Sequence, residues 1–423
     1  MLAALTKSIK SSLSSAASVI SIVAATSILL AACGGGVDAP NRWVATWYAA
    51  PQNYNDPLSI VPVSTPFTVE NQTIRQIVHL SKGGNAVRLK LANLFGSGPV
   101  SFSAIRIARN QGSGGAIDVA TDKPVTFSGS TALTLEPGAV AWSDSINIPV
   151  STHDEIAISI YLAGGVQVAD VHSDARQTNY FAPGNQTSNG VLKNAISKTS
   201  YYWVSELDVN SSNDTKVVVA FGDSITDGHN STVDANHRWP NFLDDLAQSP
   251  GSRLSNLAVV NSGISGNRWL TDGTGPNGLS RFDRDVLGIS GVTHVIILLG
   301  INDIGFPYLL PSQAVTANQI IQAMQTAISK AKERGLKVYL GTLTPMGGSP
   351  YFNTNSEADR QSVNAFIRLA PKGVDGVIDF DKAIQDPADS TRMLAAYDSG
   401  DHLHPNDAGY KAMADAINLA SLN

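Results

Sequence analysis

Apolar and polar residues alternate with a period of two along the first half of the chain, from residue 42 to about 209. The alternation is clearest in short runs at residues 73–78, 86–91 and 155–161, and glycine, proline and asparagine separate the runs. A period of two between turn residues is typical of antiparallel strands with one face toward a core. The pattern predicts a β-sandwich or jelly roll without a long helix.

The pattern changes after the polar, turn-rich residues 209–214. Apolar runs of strand length now alternate with stretches of helical period, at residues 217–221, 258–260, 295–299 and 338–340. Strands that alternate with helices predict a parallel sheet covered on both faces. We therefore expect an α/β domain with three layers (α/β/α) in the second half of the chain.

Two helices of this second half can be placed from the sequence. Apolar residues step by three and four from Val315 to Ala331, which predicts an amphipathic helix ended by Gly335. A second helix is predicted from Ser356, with Asp359 three residues later as in a capping box.

Length and charge narrow the class of protein. The chain has 423 residues, which favours two domains with sizeable cores. Hydrophobic residues make up 43% and charged residues 15%, a globular composition. The formal net charge is -6 and no basic cluster occurs, so we expect no nucleic-acid partner.

The first residues have the layout of a secretory signal peptide, with Lys7 and Lys10 before an apolar segment at 19–32. The segment ends in Leu-Ala-Ala-Cys, which resembles the lipobox of bacterial lipoproteins and implies that Cys33 is lipidated. A retained membrane helix is the alternative, but the segment is shorter than the roughly 20 residues that a span needs. The resemblance implies a lipid-anchored protein of the bacterial cell envelope, on the outer membrane or periplasmic face in a Gram-negative host, or a secreted protein. Residues 1–33 are then the signal peptide with its lipobox, and 34–41 a flexible tether.

Polar loops follow three of the predicted parallel strands, at residues 222–228 (GDSITDG), 261–266 and 300–303. Ligands of such sheets bind at the carboxyl ends of the strands, so these loops are expected to converge. Ser224, at the tip of the first strand, is a candidate nucleophile.

A serine that hydrolyses esters needs a base, a group that orients the base, and donors for the oxyanion. In the stretch YDSGDHLHPND, Asp401 precedes His404 by three residues and can place its carboxylate against the imidazole. One alternative is helix capping by Asn406 with His404 merely exposed. Another is a metal site made of Asp401, His402 and His404, but no further cluster with ligand spacing appears in the sequence. We expect neither a metal nor a cofactor.

Together, four short blocks resemble the SGNH hydrolases, the GDSL family of esterases and lipases. They are residues 222–225, 265–267, 300–303 and 401–404, and they occur in the order of the family. Ile225 stands where the family usually has leucine, a change that affects packing only. The stretch WVATW at residues 43–47 resembles the start of the N-terminal β domain that bacterial acylhydrolases of this kind often carry.

The resemblance implies a role for each residue of the site. Ser224 is the nucleophile, His404 the general base and acid, and Asp401 the partner that orients His404. The backbone N–H groups of Ser224 and Gly266 and the side-chain amide of Asn302 form the oxyanion hole. No G-x-S-x-G pentapeptide occurs, which disfavours the α/β-hydrolase alternative. Residues 42–213 are then a β-sandwich domain and 214–423 an SGNH hydrolase domain.

Several residues near these loops are candidate substrate contacts, with loop packing as the equal alternative: His229, His237, Arg238, Trp239, Asn267 and Arg268. We expect a serine esterase that removes short acyl groups, above all O-acetyl groups, from carbohydrate. Alternatives are a lipase or arylesterase, an acyltransferase to a sugar, and a non-catalytic glycan-binding lipoprotein.

Overall fold

The computed structural model describes residues 41–56 and 67–423. The predicted signal peptide, the lipobox with Cys33 and most of the tether lie outside these residues. Within the two described ranges, no helix is long and apolar enough to cross a membrane.

Antiparallel strands form the first region. In chain order they are β1 (Asn41–Tyr48), β2 (Gln52–Asn53), β3 (Thr68–Val69), β4 (Gln72–His79), β5 (Val87–Asn93), β6 (Val100–Phe102), β7 (Ala104–Arg109), β8 (Lys123–Pro124), β9 (Leu133–Leu135), β10 (Ala139–Trp142), β11 (Glu155–Leu162), β12 (Val166–Gln167), β13 (Asp170–His172), β14 (Asn179–Pro183), β15 (Ile196–Lys198), β16 (Tyr201–Tyr202) and β17 (Val204–Ser212). A single 3₁₀ turn at Ser113–Gly115 interrupts the described strands.

Two of the antiparallel sheets are large. One has the strand order β1-β17-β5-β10 and the other β15-β14-β4-β11-β7-β8. Alternate apolar residues of β11, among them Ile156, Ile158 and Ile160, are fully buried and belong to the same core as residues of β1 and β17. Alternate residues of these strands therefore face the shared core, while the other face of the larger sheet is also covered, with Arg75, Ile77 and Ala157 buried. The prediction of an antiparallel β region is confirmed.

Helices and mostly parallel strands form the second region. In chain order they are β18 (Lys216–Gly222), α1 (Ser224–Asp227), α2 (Trp239–Gln248), β19 (Leu257–Gly263), α3 (Gly278–Phe282), β20 (Val292–Leu298), α4 (Ile301–Gly305), α5 (Ala317–Glu333), β21 (Lys337–Gly341), α6 (Thr354–Arg368), β22 (Gly376–Ile378), α7 (Phe380–Ile384), β23 (Gln385–Asp386), β24 (Asp389–Met393) and α8 (Asp407–Asp415). Shorter turns lie at Asp283–Leu287, Phe306–Tyr308, Pro311–Gln313 and Leu419–Leu422.

The main sheet of this region has the order β19-β18-β20-β21-β22, and all its pairs are parallel. Strand β18, which lies between β19 and β20, is buried, with residues 217–221 showing no exposed surface. Such a strand needs apolar residues at every position because helices cover both faces of the sheet. The predicted α/β architecture is confirmed, and the carboxyl ends of β18, β19 and β20 meet at one edge.

The two predicted helices are present, and the cap of the second differs from the prediction. Helix α5 ends before Gly335, which has a φ of 74°. Helix α6 begins two residues before Ser356 and is capped by Asn353, whose side chain accepts from the Ser356 N–H at 3.0 Å. The Ser356 hydroxyl accepts in turn from the Asn353 N–H at 2.8 Å, so the predicted pairing with Asp359 is wrong.

The β region and the hydrolase region pack closely, and the described residues 41–56 and 67–423 belong to one compact unit. The Ala45 N–H of β1 donates to the Ser290 carbonyl at 2.9 Å. The Tyr48 hydroxyl donates at 2.6 Å to Asp285, which is fully buried in the hydrolase region. Antiparallel strands give way to parallel ones between Ser212 and Lys216. That this point separates two domains stays a prediction.

Candidate active site

The turn after β18 displays Ser224. Asp223 caps α1 by accepting from the Ile225 N–H at 3.1 Å, so Ser224 is the first residue of the helix. A β-carbon on Gly222 would overlap the Thr226 side chain and the Leu298 carbonyl, so the chain needs glycine there. Burial raises the pKa of Asp223 to about 7, so this carboxyl is a poor partner for a positively charged base. Its role is to cap the helix through the hydrogen bond to Ile225.

Ser224, His404 and Asp401 form a continuous hydrogen-bonded row. The Ser224 Oγ lies 2.8 Å from His404 Nε2, and His404 Nδ1 lies 2.7 Å from Asp401 Oδ2. Although burial alone would raise it, hydrogen bonds from the His404 ring and from backbone N–H groups hold the pKa of Asp401 well below its usual range. Asp401 is therefore a carboxylate that accepts from Nδ1–H, which leaves the Nε2 lone pair for the serine proton.

Asn230 supports this row, and the sequence analysis missed it. Its Nδ2 donates to Asp401 Oδ2 and to the Ser399 Oγ, both at 3.0 Å. The backbone of Asn230 is left-handed, with a φ of 64°, a conformation that asparagine tolerates better than most residues. In the sequence, only its position in the turn after α1 indicated that Asn230 could lie near the site.

His402 does not join the site. Its Nδ1 lies 2.6 Å from Asp398 Oδ2, so the alternative metal set of Asp401, His402 and His404 is not assembled. A different trio, His229, Asp401 and His404, places one ligand atom each within 4.8 Å of one another. Asp401 and His404 already hydrogen-bond each other, and a cation there would have to break the row that ends at Ser224.

The backbone N–H groups of Ser224 and Gly266 are the two main-chain candidates for an oxyanion hole. Gly266 has a φ of 78°, and a β-carbon there would lie 2.8 Å from Thr274 Cγ2, so glycine is required. Within residues 41–56 and 67–423, neither the Ser224 N–H nor the Gly266 N–H donates to a protein acceptor. Both are therefore available for an oxyanion.

Two hydrogen bonds fix the side-chain amide of Asn302. The Tyr351 hydroxyl donates to Asn302 Oδ1 at 2.9 Å, and Asn302 Nδ2 donates to the Asn267 carbonyl at 3.1 Å. Burial raises the pKa of Tyr351, so its hydroxyl remains a donor. One N–H of the amide is left for a ligand. Sequence analysis missed Tyr351 because it lies 49 residues from Asn302.

Arg281 supports the site from beneath and was also missed. It is buried, and it donates to the Gly222 carbonyl at 2.8 Å, the Ser262 carbonyl at 2.9 Å and Asn267 Oδ1 at 2.9 Å. Its charge is balanced by Asp285 at 3.0 Å. Arg281 therefore ties the ends of β18 and β19 to the loop that carries Gly266.

A pocket of about 480 Å³ opens at Ser224. It is lined by Ser173, Asp174, Ser224, His229, Ser265, Gly266, Asn302, Phe306, Tyr351, Leu403 and His404. Ser173 and Asp174 follow β13 and belong to the β region. The volume is within the range of ~300–1,000 Å³ typical of small-molecule sites.

Of the predicted substrate contacts, the structure brings only His229 to this pocket. Trp239 is fully buried, and its indole N–H lies 3.4 Å from the Thr226 hydroxyl. Asn267 is 1% exposed. Its Nδ2 donates to the Pro276 carbonyl and its Oδ1 accepts from Arg281, both at 2.9 Å. The others contact protein groups outside the pocket: Arg238 donates to the Ala175 carbonyl, Arg268 to Gln313, and His237 pairs with Asp407.

The structure combines a parallel sheet flanked by helices with a serine, an imidazole and a carboxylate in a row at the carboxyl edge of the sheet. This arrangement is the geometry of the serine hydrolases. Residues 220–412 match the model of the GDSL-like Lipase/Acylhydrolase family, and this part of the chain is a GDSL-like lipase/acylhydrolase domain. The protein is a hydrolase of carboxylic esters. No curated protein matches the chain.

Solved structures of the same family resemble half of the chain. A G-D-S-L family protein from Desulfitobacterium hafniense DCB-2 is 25% identical, with 49% of this chain and 99% of that one covered, at a TM-score of 0.37. The aryl esterase of M. smegmatis is 18% identical, with 49% and 100% covered, at 0.39. A carbohydrate acetylesterase from Sinorhizobium meliloti is 15% identical, with 49% and 100% covered, at 0.38. Likeness at this level carries no argument about substrate.

Proposed function

We propose that this protein is a serine esterase that removes short acyl groups, in particular O-acetyl groups, from carbohydrate. The observation that carries the proposal is the row Ser224–His404–Asp401, with contacts of 2.8 and 2.7 Å, beside three unused N–H donors. Every group that acyl transfer through a serine needs is therefore present at one pocket.

The reaction follows from the geometry. His404 Nε2 takes the Ser224 proton while Oγ attacks the ester carbonyl, and the N–H groups of Ser224 and Gly266 with the Asn302 amide hold the oxyanion. The imidazolium then gives its proton to the alcohol oxygen as the C–O bond breaks, which leaves an acyl group on Oγ. Water, deprotonated by the same imidazole, attacks the acyl-enzyme and releases the acid.

The lining of the pocket supports a polar alcohol and a small acyl group. Phe306 and Tyr351 line the pocket together with Asn302 and offer aromatic surface to a small acyl group. Ser173, Asp174 and His229 provide polar groups elsewhere in the same pocket. Hydroxyl-rich sugars need such hydrogen-bond partners when they lose water.

A second candidate, a lipase or arylesterase, is favoured by one observation. Tyr308, Leu309 and Phe352, which neighbour the lining residues Phe306 and Tyr351 in the chain, are 64%, 57% and 39% exposed. Exposed apolar side chains close to a pocket favour apolar substrates. Rates on p-nitrophenyl esters of rising chain length, compared with acetylated xylan, separate the two: the proposal requires acetate to be the best aryl ester and xylan to release acetate.

The nucleophile itself is tested by an organophosphonate, which reacts with an activated serine. We expect one covalent adduct, located by peptide mass at Ser224 and absent from Ser224→Ala. A matched control is Ser329→Ala on the exposed surface of α5, which should be labelled at Ser224 like the wild type. An adduct at another serine, or loss of esterase activity in EDTA, would contradict the proposal.

We further propose that the chain is anchored in the bacterial envelope through a lipid on Cys33. Support comes from the sequence, in which the Leu-Ala-Ala-Cys motif follows an apolar segment and three glycines follow it. Gly34, and no acidic residue, comes after the cysteine, which favours the outer membrane in a Gram-negative host.

Cys33→Ser tests the anchor. We expect the variant to stay unprocessed at this position or to leave the detergent-extracted membrane fraction, because a serine hydroxyl does not carry the thioether-linked lipid. Ser27→Ala, within the apolar segment, is the matched control and should fractionate like the wild type. Unchanged processing together with unchanged fractionation of Cys33→Ser would overturn the anchor.

A further inference from the structure

A second histidine–carboxylate pair lies beside the row described above and takes no part in the proposed reaction. His229 Nδ1 lies 2.5 Å from Asp174 Oδ2, and the centroid of the His229 ring lies 4.5 Å from that of His404. Asp174 precedes residues 220–412, so it is not part of the matched family domain. Both side chains line the pocket. The β region therefore contributes directly to the surface that meets the substrate.

The pair is fixed on both sides. The Ser265 hydroxyl lies 2.9 Å from Asp174 Oδ2, and the Tyr410 hydroxyl donates to the His229 carbonyl at 2.6 Å. The His229 N–H donates to the Ser224 carbonyl at 2.9 Å. The imidazole is thus held by its backbone and by Asp174, and its orientation next to His404 is determined.

The hydrogen bond between Asp174 and His229 determines the charge of Asp174. Although burial alone would raise it, the hydrogen bond to His229 lowers the pKa of Asp174 to about 2. The same hydrogen bond raises the pKa of His229. Asp174 is therefore ionised and accepts from His229 Nδ1–H. The Ser224 Oγ hydrogen-bonds His404 Nε2 and not His229, so the pair does not replace His404.

One nitrogen of this pair is left over. His229 Nδ1 is engaged with Asp174, whereas Nε2 hydrogen-bonds no protein group within residues 41–56 and 67–423. The side chain is 39% exposed and lines the pocket. Because Nδ1–H donates to Asp174, the Nε2 lone pair is available to accept from a ligand bound at Ser224.

The position of His404 identifies which part of a substrate His229 meets. His404 must deliver its proton to the alcohol oxygen of the ester, so the alcohol portion lies against His404. The carbonyl oxygen lies at Gly266 and Asn302 instead. Since the His229 ring packs on the His404 ring, it borders the alcohol portion.

We propose that Asp174 and His229 are specificity-determining residues, in which His229 Nε2 accepts a hydrogen bond from a hydroxyl group on the alcohol portion of the ester. The pair then selects esters of polyhydroxylated alcohols, such as O-acetylated sugars, over esters whose alcohol portion has no further hydroxyl. The inference rests on the serine esterase function proposed above and assigns its substrate class to two named side chains.

The test compares two acetyl esters: an acetylated xylo-oligosaccharide, and phenyl acetate, whose alcohol portion has no hydroxyl. His229→Phe keeps an aromatic ring against His404 but has no acceptor nitrogen. We expect kcat/KM for the sugar ester to fall roughly 5- to 150-fold, the range for a polar group left without its hydrogen-bond partner, and for phenyl acetate less than about 3-fold. His229→Gln, whose Oε1 accepts hydrogen bonds, should recover part of the loss on the sugar ester.

His237→Phe is the matched control, because His237 is also half-exposed and paired with a carboxylate, at 2.7 Å from Asp407, yet does not line the pocket. It should leave both rates unchanged. An equal loss on both esters in His229→Phe would show that His229 only positions His404, and unchanged rates on both would show that it makes no contact; either result overturns the inference. A wild type that hydrolyses neither ester would instead remove the proposed function, and the inference with it.

Discussion

Ser224→Ala and His404→Ala each lower kcat by about 10⁴–10⁶, and the double variant retains the same residual activity. The losses do not multiply because proton transfer from Oγ to Nε2, across 2.8 Å, is one event that needs both atoms. The residual activity of these variants comes from the oxyanion donors and from substrate binding. Single-turnover kinetics on p-nitrophenyl acetate measure all three variants. Losses that multiply would mean that the two residues act in separate steps.

Asp401→Asn belongs to the same experiment and should cost about 10⁴ in kcat. The amide can donate to His404 Nδ1 and hold the ring in the tautomer that has no lone pair toward Ser224. His402→Asn is the matched control, since His402 has a φ of 62°, which asparagine tolerates, and pairs with Asp398 away from the pocket. Activity of His402→Asn that falls as far as that of Asp401→Asn would assign the loss to the loop and not to the carboxylate.

Asn302→Ala lowers kcat by about 10²–10³ with little change in KM, the largest effect that we expect outside the row Ser224–His404–Asp401. The amide donates to an oxygen that becomes negative only in the transition state, so ground-state binding changes little. The measurement is kcat and KM on p-nitrophenyl acetate, with the melting temperature as a check, because the alanine also loses the bond to the Asn267 carbonyl.

Tyr351→Phe tests how much the orientation of the Asn302 amide contributes, because the amide itself stays in place. It keeps Asn302 but removes the hydroxyl that donates to Oδ1 at 2.9 Å, so kcat should fall by less than in Asn302→Ala. If KM rises in Asn302→Ala while kcat holds, Asn302 is a binding residue and the assignment to the oxyanion hole is wrong.

For Trp239 and Asn267, the sequence leaves substrate contact and loop packing as equal alternatives, because both residues stand close to the loops of Ser224 and Gly266 in the chain. Both are buried, and Asn267 turns its side chain to Arg281. Proximity along a chain limits where a residue is, but packing decides which way its side chain points.

By itself the sequence determined the elements and the members of the central row. Burial of one face imposes a period of two, burial of both faces of β18 imposes a continuous apolar run, and the short Asp401-to-His404 spacing brings two partners together within one loop. Only the tertiary structure decided which distant groups complete the site. Asp174, Asn230, Arg281 and Tyr351 act through contacts across 14 to 171 residues of chain. No local pattern encodes such contacts, because they depend on how the β region and the edge of the parallel sheet pack in three dimensions.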